Sequence, residues 1–480
     1  MDVTDVLRQG QRVQRAIGMA RDRFDLDTVR ERHLPGELVD LTVRRPGGGE
    51  VRLMHLKALV DSQQVQSEIV GPLAETPASL QALLAGATAV TSAASADQEL
   101  LNGAVLFVAQ GRVLALPMAQ FPTRSVQEPS TERAVFSPKD ALVEDLEQNV
   151  GLIRSHLRDP RLRVEHLTLG EQARSTVAVC HVAGVADVDL VDDAVQRLHS
   201  YRPVRVGFVS ALLRPLFGPV WDGFLDADFT ERPYRVADFL ARGRLAILVD
   251  GSPFALVTPI TFVEIFIDEE EYLQATTTRF FVRALRILSF FLALLMPGLY
   301  VALLTVNPTI LPGLLAIAVA SSRQSLPFPV VTEIILLLLI LDIMAEATVS
   351  MKGLLGPTIS IVGALIAGQA AIRANLASDL GVIVASVTLL ATFMTSRYQL
   401  TYSVRVWKYP ILLLSAAFGI LGWATGILWL MANFVRKRRF GVSYLAPIAP
   451  LRPQSVRTTS HHGRQAPPAP AYIRRAEPES

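Results

Sequence analysis

The chain has 480 residues, half of them apolar, with 46 basic against 44 acidic side chains. A formal net charge of +2 gives no global pull toward nucleic acid, and the lone cysteine, Cys180, excludes an internal disulfide. The length has room for roughly two to four domains.

The apolar residues are unevenly spread. Residues 1–286 are rich in Asp, Glu and Arg, whereas residues 287–435 carry few charges. Such a step predicts two solvents along one chain, water first and lipid second. The first 25 residues are charged and contain no apolar stretch. No cleavable leader is therefore expected, and the first membrane helix must act as its own insertion signal. The soluble half is expected to stay in the cytoplasm.

Residues 1–125 read as a small α/β subdomain. Residues 37–43 and 51–56 have strand character around a Pro-Gly-Gly-Gly turn. Residues 104–109 and 112–116 repeat the pattern around Gln110-Gly111. A helix is expected over residues 77–85, ended by Gly86. The proline-bearing polar stretch 120–132 marks a boundary.

Residues 126–285 read as a second α/β subdomain. Ser137-Pro138-Lys139-Asp140 has the form of a helix start. Apolar side chains from Leu142 to Leu157 then recur at helical spacing. Strands are expected at 163–169 and 175–181, the latter burying Cys180, and a helix at 188–198. Asp250-Gly251-Ser252-Pro253 reads as a tight turn between two apolar strands, 244–249 and 254–259. Ser252 has no nearby His and is read as a turn residue rather than a nucleophile.

Residues 286–435 read as an all-α, polytopic transmembrane domain. No Asp, Glu, Lys or Arg occurs in residues 287–322. One straight helix of that length would be roughly 54 Å long, far beyond a hydrocarbon core of about 30 Å. Asn307-Pro308 and Pro312 divide it into a span at 287–305 and a short, re-entrant segment at 310–322. Further apolar segments cover 330–344, 356–372, 380–395 and 411–435. Residues 436–480 form a basic, proline-rich tail. The arginines before the first span and the Arg436-Lys437-Arg438-Arg439 cluster place both ends inside, which needs an even number of crossings. Arg397, Arg405 and Lys408 would then fall outside, unless residues 396–409 lie along the interface.

Catalytic, cofactor and metal motifs are missing: there is no GxxxxGK[ST], HExxH, paired CxxC or GxSxG. No enzyme activity, cofactor or metal is expected. Asp189, Asp192 and Asp193 read as a solvated helix face, and His461-His462 as part of the tail. The informative polar residues lie in the apolar half. Asp342 and Glu346 are one helical turn apart and share a face. Carboxylates at membrane depth need water, a partner or a proton. A helix-end pair reaching the interface, a pore, a proton site and an inter-subunit contact all remain open. Ser360, Gly363, Ala364, Ala367, Gly368 and Gln369 lie in a small-residue helix that allows close backbone approach. Tight packing within one subunit and the lining of a multi-subunit pore both fit it.

Several stretches together resemble the A subunits of the GerA family of spore-germination receptors: residues 142–154, Thr230-Glu231-Arg232-Pro233, residues 243–254, Arg283-Ala284-Leu285-Arg286, Pro327-Phe328-Pro329, residues 360–371 and residues 440–447. The resemblance covers residues 135–450 in one order. It implies an oligomeric, nutrient-gated ion channel of the spore inner membrane. The implied partners are a transporter-like B subunit and a lipoprotein C subunit. The pattern also departs: Ala345 stands where the family has Arg, Ser350-Met351-Lys352 replaces an Arg-Leu-Pro run, and Phe136-Ser137-Pro138 replaces Arg-Gly-Pro. These departures leave open an accessory paralogue acting as a channel or scaffold in dipicolinate and ion release. A secondary transporter would show inverted repeats, and no segment is repeated.

Overall fold

The structure, a computed structural model, describes residues 26–30, 37–44, 50–75, 87–109, 112–118, 138–219, 223–224, 226–267, 276–350, 355–394, 398–446 and 448–449. The helix expected at 77–85 and the histidine pair of the tail lie outside these residues.

Two five-stranded antiparallel sheets precede a helical bundle. In the first, β1 (Leu38–Arg44), β2 (Glu50–Leu56), β3 (Thr88–Val90), β4 (Ala104–Ala109) and β5 (Arg112–Pro117) lie in the order β1-β2-β4-β5-β3. Both hairpins read from the sequence are present, with Leu38 opposite Leu56 and Ala104 opposite Pro117. Helix α1 (Ala93–Leu101) covers the sheet, capped by the reciprocal bonds of Ser92 and Ser95.

The second sheet contains β6 (Leu162–Leu169), β7 (Ser175–Val182), β8 (Asp228–Thr230), β9 (Leu245–Val249) and β10 (Ala255–Thr258), in the order β6-β7-β9-β10-β8. Helices α2 (Leu146–His156), α3 (Val188–Ser200), α4 (Leu213–Phe217) and α5 (Pro233–Ala241) flank it. Val177, Val179, Ile247 and Val249 point into one core beneath α3 and α4. Ala178, Cys180, Ala246 and Leu248 point into another beneath α2 and α5. Burial on both faces is why these strands read as continuous apolar runs rather than alternating ones. Burial also pushes the Cys180 thiol up to about 12.

The helix expected from Ser137-Pro138 begins eight residues later than that signal. Asp145, not Ser137, caps α2 by accepting the Gln148 N–H at 2.8 Å. The preceding segment is committed elsewhere. Asn149 bonds both the N–H and the carbonyl of Val143, at 2.7 and 2.6 Å, and Leu142 N–H donates to Glu231 O. These bonds hold the chain out of helical geometry. Gly251 adopts φ +83° in the turn between β9 and β10, and Ser252 N–H closes it on Val249 O.

The two sheets are joined through buried charge and a close backbone approach. Glu37 beside β1 pairs with Arg154 of α2 at 2.8 Å and accepts the Val164 N–H of β6 at 2.9 Å. A side chain at Gly151 would stand 2.4 Å from the Ala58 carbonyl, so only glycine permits the contact.

The helical half contains α6 (Thr276–Thr305), α7 (Gly313–Ser322), α8 (Val330–Ser350), α9 (Leu355–Arg373), α10 (Asp379–Phe393) and α11 (Tyr398–Arg436). Among the described residues, two helices are long and apolar enough to cross a membrane, Thr277–Thr305 and Leu400–Arg436. Helix α8 has the length but carries Glu333, Asp342 and Glu346.

The last element differs from the single span expected at 411–435. Its 39 residues break at Gly419, with φ +60° and ψ −137°. The Trp407 and Trp429 rings lie 4.8 Å apart. In a straight helix 22 residues would separate them by about 33 Å. Glycines at 422 and 426 abut Leu414 and Ile411. So α11 is a hairpin of two antiparallel arms, 398–418 and 420–436. Asn307, just beyond α6, closes its tip by accepting the Ile420 N–H at 3.0 Å.

The hairpin resolves the conflict over the basic residues. Arg405 and Lys408 lie toward the start of the first arm, at the same end of the bundle as Arg436 closing the second. They are not across the bundle from it. Arg397 lies outside the described residues.

Candidate functional site

Helix α9 carries the small-residue run. A β-carbon on Gly363 would meet Met344 Cε of α8 at 2.5 Å, and one on Gly368 would meet Val382 Cγ1 of α10 at 3.2 Å. These two glycines therefore form the seams that hold α9 to its own chain. Ala367 is half-buried, whereas Val362, Ile366, Gln369 and Arg373 are exposed. Their spacing of four, three and four places them on one stripe. Ser360 and Ala364 lie in the helix, but their side chains are outside the described set.

Asp342 and Glu346 face the first arm of α11. Lys408 Nζ donates to Asp342 at 2.7 Å, and the Tyr409 hydroxyl does so at 2.6 Å. Arg405 donates to Glu346 at 2.7 Å, and Tyr402 lies at 3.3 Å from it. The partner cations came from residues that the sequence reading assigned to topology alone. Spacing along α8 cannot reveal them, because they arrive from 59 and 66 residues away.

A second buried carboxylate sits at the opposite end of α8. Glu333 accepts both the N–H and the hydroxyl of Ser378, each at 2.6 Å, and pairs with Arg323. Ser378 also caps α10 through the Gly381 N–H. This cluster ties the short α7, which ends beside Arg323, to the starts of α8 and α10.

Where the soluble and helical halves meet, the contacts are aromatic and ionic. Phe262 and Phe266 pack on Phe290 of α6, while Phe224 packs on Phe434 at 4.6 Å and on Trp407 at 6.1 Å. Asp226 receives Lys437 at 2.9 Å and both forks of Arg439, at 2.7 and 3.0 Å. Upstream, Arg244 and Glu264 form a fully buried pair, with Thr261 donating to the same carboxylate. Burial works to raise the Glu264 carboxyl, but the Arg244 charge and the Thr261 donors outweigh it and hold it below the ordinary range.

Elsewhere, Asp189 and Asp192 are exposed, and Asp193 pairs with Arg197 at 2.8 Å. No group of three or more potential metal ligands occurs among the described residues.

A soluble α/β half bonded at several points to an apolar helical half defines a membrane-associated protein whose two parts are mechanically continuous. Residues 36–465 match the family described as Bacillus/Clostridium GerA spore germination protein, and the chain belongs to that family. Spore germination protein KA of Bacillus subtilis is 32% identical over 443 residues, covering 88% of this chain and 81% of that protein. Spore germination protein B1 of the same organism is 30% identical over 419 residues, covering 85% of this chain and 87% of that one. The N-terminal domain of the A subunit of the Bacillus megaterium spore germinant receptor GerK3 aligns at 20% identity with a TM-score of 0.36, covering 49% of this chain and 94% of that domain. Membership of this family of spore germination proteins agrees with the expectation that the chain is not an enzyme.

Proposed function

We propose that the chain is the A subunit of a spore germinant receptor, and that its helical half forms an oligomeric, nutrient-gated ion path lined by α9. The observation that carries this reading is the division of α9 into two faces. Gly363 and Gly368 pack against α8 and α10 of the same chain, which leaves Val362, Ile366 and Gln369 on an exposed stripe. A polar amide on that stripe needs a water-filled lumen or a partner copy rather than lipid. Repetition of the chain around an axis supplies both.

A polytopic arrangement is part of this proposal, and the contacts support it. Helix α6 runs from the end near Phe434 to the end near Gly419. Helix α8 returns from Glu333 to Asp342, α9 goes out again, α10 comes back from Ser378, and the two arms of α11 go out and return. That makes six crossings, an even number, with α7 entering and leaving at one side as a re-entrant or interfacial segment. The basic run at 436–439 supports an inside location for both ends. The membrane in question is then the spore inner membrane, and the partners are a transporter-like B subunit and a lipoprotein C subunit.

The test is conductance. The purified chain, reconstituted with its neighbouring B and C gene products in planar bilayers, is expected to pass ions when nutrient is added. Assembled complexes that never conduct, while still supporting germination in spores, would leave only a scaffold role.

A further inference from the structure

We propose that Asp226 is a positioning residue that couples the second soluble sheet to the membrane hairpin, so that displacement of the sheet is delivered to α11. What that displacement does at α9 rests on the channel reading above; the clasp itself does not.

Asp226 lies just before β8, with its side chain 1% exposed. It holds two cations from the chain immediately after the hairpin. Lys437 also donates to the Phe224 carbonyl at 2.7 Å, and Arg439 to the Phe217 carbonyl at 3.1 Å. The residue after Arg439, Phe440, is inserted in the core beneath the second sheet and packs edge-on to Phe217 at 5.6 Å. The tail is thus folded back into the soluble half. Gly223, three residues before Asp226, touches the other arm, because Ser403 donates to its carbonyl at 2.5 Å. Both arms of α11 are therefore held at one end by a single segment of the soluble half.

From there the contacts continue without a gap. The first arm carries Arg405 and Lys408, which bond to α8, and Met344 of α8 abuts Gly363 of α9. The apolar contacts around Phe224 can slide at small cost, since dispersion is non-directional. The bidentate Arg439–Asp226 pair cannot, because its two parallel bonds fix distance and angle together. Separating the pair would also leave the buried Asp226 carboxylate with Lys437 as its one cation among the contacts described above. The carboxylate is thus the stiff point of the junction.

The experiment uses full-length protein in spores and in detergent. Asp226→Asn keeps the shape and removes the charge. The variant is expected to reach the membrane in normal amount. Amide exchange across residues 438–443 should rise about tenfold or more, and the germination response to rich nutrient medium should fall by a similar factor. Asp226→Glu, which keeps the charge that both Lys437 and Arg439 face, should retain a large part of both. A released tail with an unchanged response would overturn the proposal, as would a lost response with the tail still protected. If Asp226→Asn fails to accumulate, Arg439→Lys keeps the charge but loses the bidentate geometry. A partial response then supports coupling, and a full response with a released tail overturns it. Absence of conductance in the reconstituted wild type would remove the channel reading alone, since exchange and germination are measured independently of it.

Discussion

Helices α6 and α11 differ from α9 in how they are held. Phe290, Ala293, Leu294, Val301 and Ala302 of α6 are fully buried, as are Leu400, Val404, Ile411, Leu412, Leu430 and Phe434 of the hairpin. No described side chain of α9 is buried. The first pair forms a post, welded by aromatics to the soluble half. The described glycines of α9 abut α8 and α10, at Met344 and Val382. Elements with few buried contacts open at the lowest free energy, so the post should move as a unit with the sheet that holds it, while α9, by its described side chains, yields more readily.

The largest expected effect comes from weakening the base of the post. Glu264→Gln leaves Arg244 buried beside a neutral partner and should destabilise the soluble half by about 3–5 kcal/mol. The loss is measurable as a lower urea midpoint of the sheet signal in circular dichroism. The pair also sets a pH dependence. The folded Glu264 carboxyl lies below its ordinary value of 4.5. Its contribution is therefore complete above that value and disappears as pH falls through the lower folded one. Glu264→Gln should remove that acid step. An unchanged acid transition would show that the pair adds nothing to the post.

The tip of the hairpin comes next. At Gly419 a β-carbon would stand 2.1 Å from Asn307 Oδ1 and 2.8 Å from Val306, in a backbone conformation with φ +60°. The left-handed backbone alone costs an L-residue roughly 1–2 kcal/mol, and the overlap adds to it. Gly419→Ala should therefore lower the thermal midpoint of detergent-solubilised protein and reduce the amount recovered in membranes. Wild-type stability would mean that α11 is not bent there.

Much of the soluble fold was legible, because strand pairs are local. Both hairpins of the first sheet and the β9–β10 turn join residues close in sequence, and turn glycines mark them. The start of α2 was misplaced because Ser137-Pro138 and Asp145 offer competing signals. The choice between them is made by the Asn149 side chain, from within α2 itself, and by Glu231, a tertiary partner. The hairpin was hidden for a similar reason. Gly419, Gly422 and Gly426 interrupt an otherwise continuous apolar run, and periodicity cannot distinguish a packing glycine from a bend. The ion pairs of Asp342 and Glu346 were illegible altogether, since nothing along α8 names a partner on α11. Glycines 363 and 368 were visible as close-approach positions, but which helix approaches them was not.

A middling effect is expected at the link between post and α8. Lys408→Met removes the main partner of Asp342, leaving the Tyr409 hydroxyl and Arg405 Nε at 3.8 Å. Asp342 keeps 17% of its side chain exposed, which moderates the cost to about 1–2 kcal/mol. Adding Asp342→Asn should recover part of the loss, because the uncompensated charge is gone. A double variant less stable than the single would show that the pair is not an energetic unit.

The smallest effect on stability, and the sharpest test of the contrast, lies on the exposed stripe of α9. Val362, Ile366 and Gln369 have little packing to lose, so single cysteine substitutions there should change stability by about 0.5 kcal/mol or less. The chain is already suited to such a scan. Its native Cys180 is buried in the second sheet with its thiol pushed up to about 12, so it stays protonated and unreactive near neutral pH. In the assembled receptor, cysteines at 362, 366 and 369 should react with a charged, water-soluble thiol reagent and alter the germination response once modified. Cysteines at 363 and 368 should not react, because Met344 and Val382 cover those positions. Gly363→Leu should strongly disturb the germination response, since it forces α9 away from α8. Reaction at 363 and 368 with protection at 362, 366 and 369 would reverse the two faces of α9. The exposed stripe would then be packed against a neighbouring subunit or lipid, and the ion path would run elsewhere.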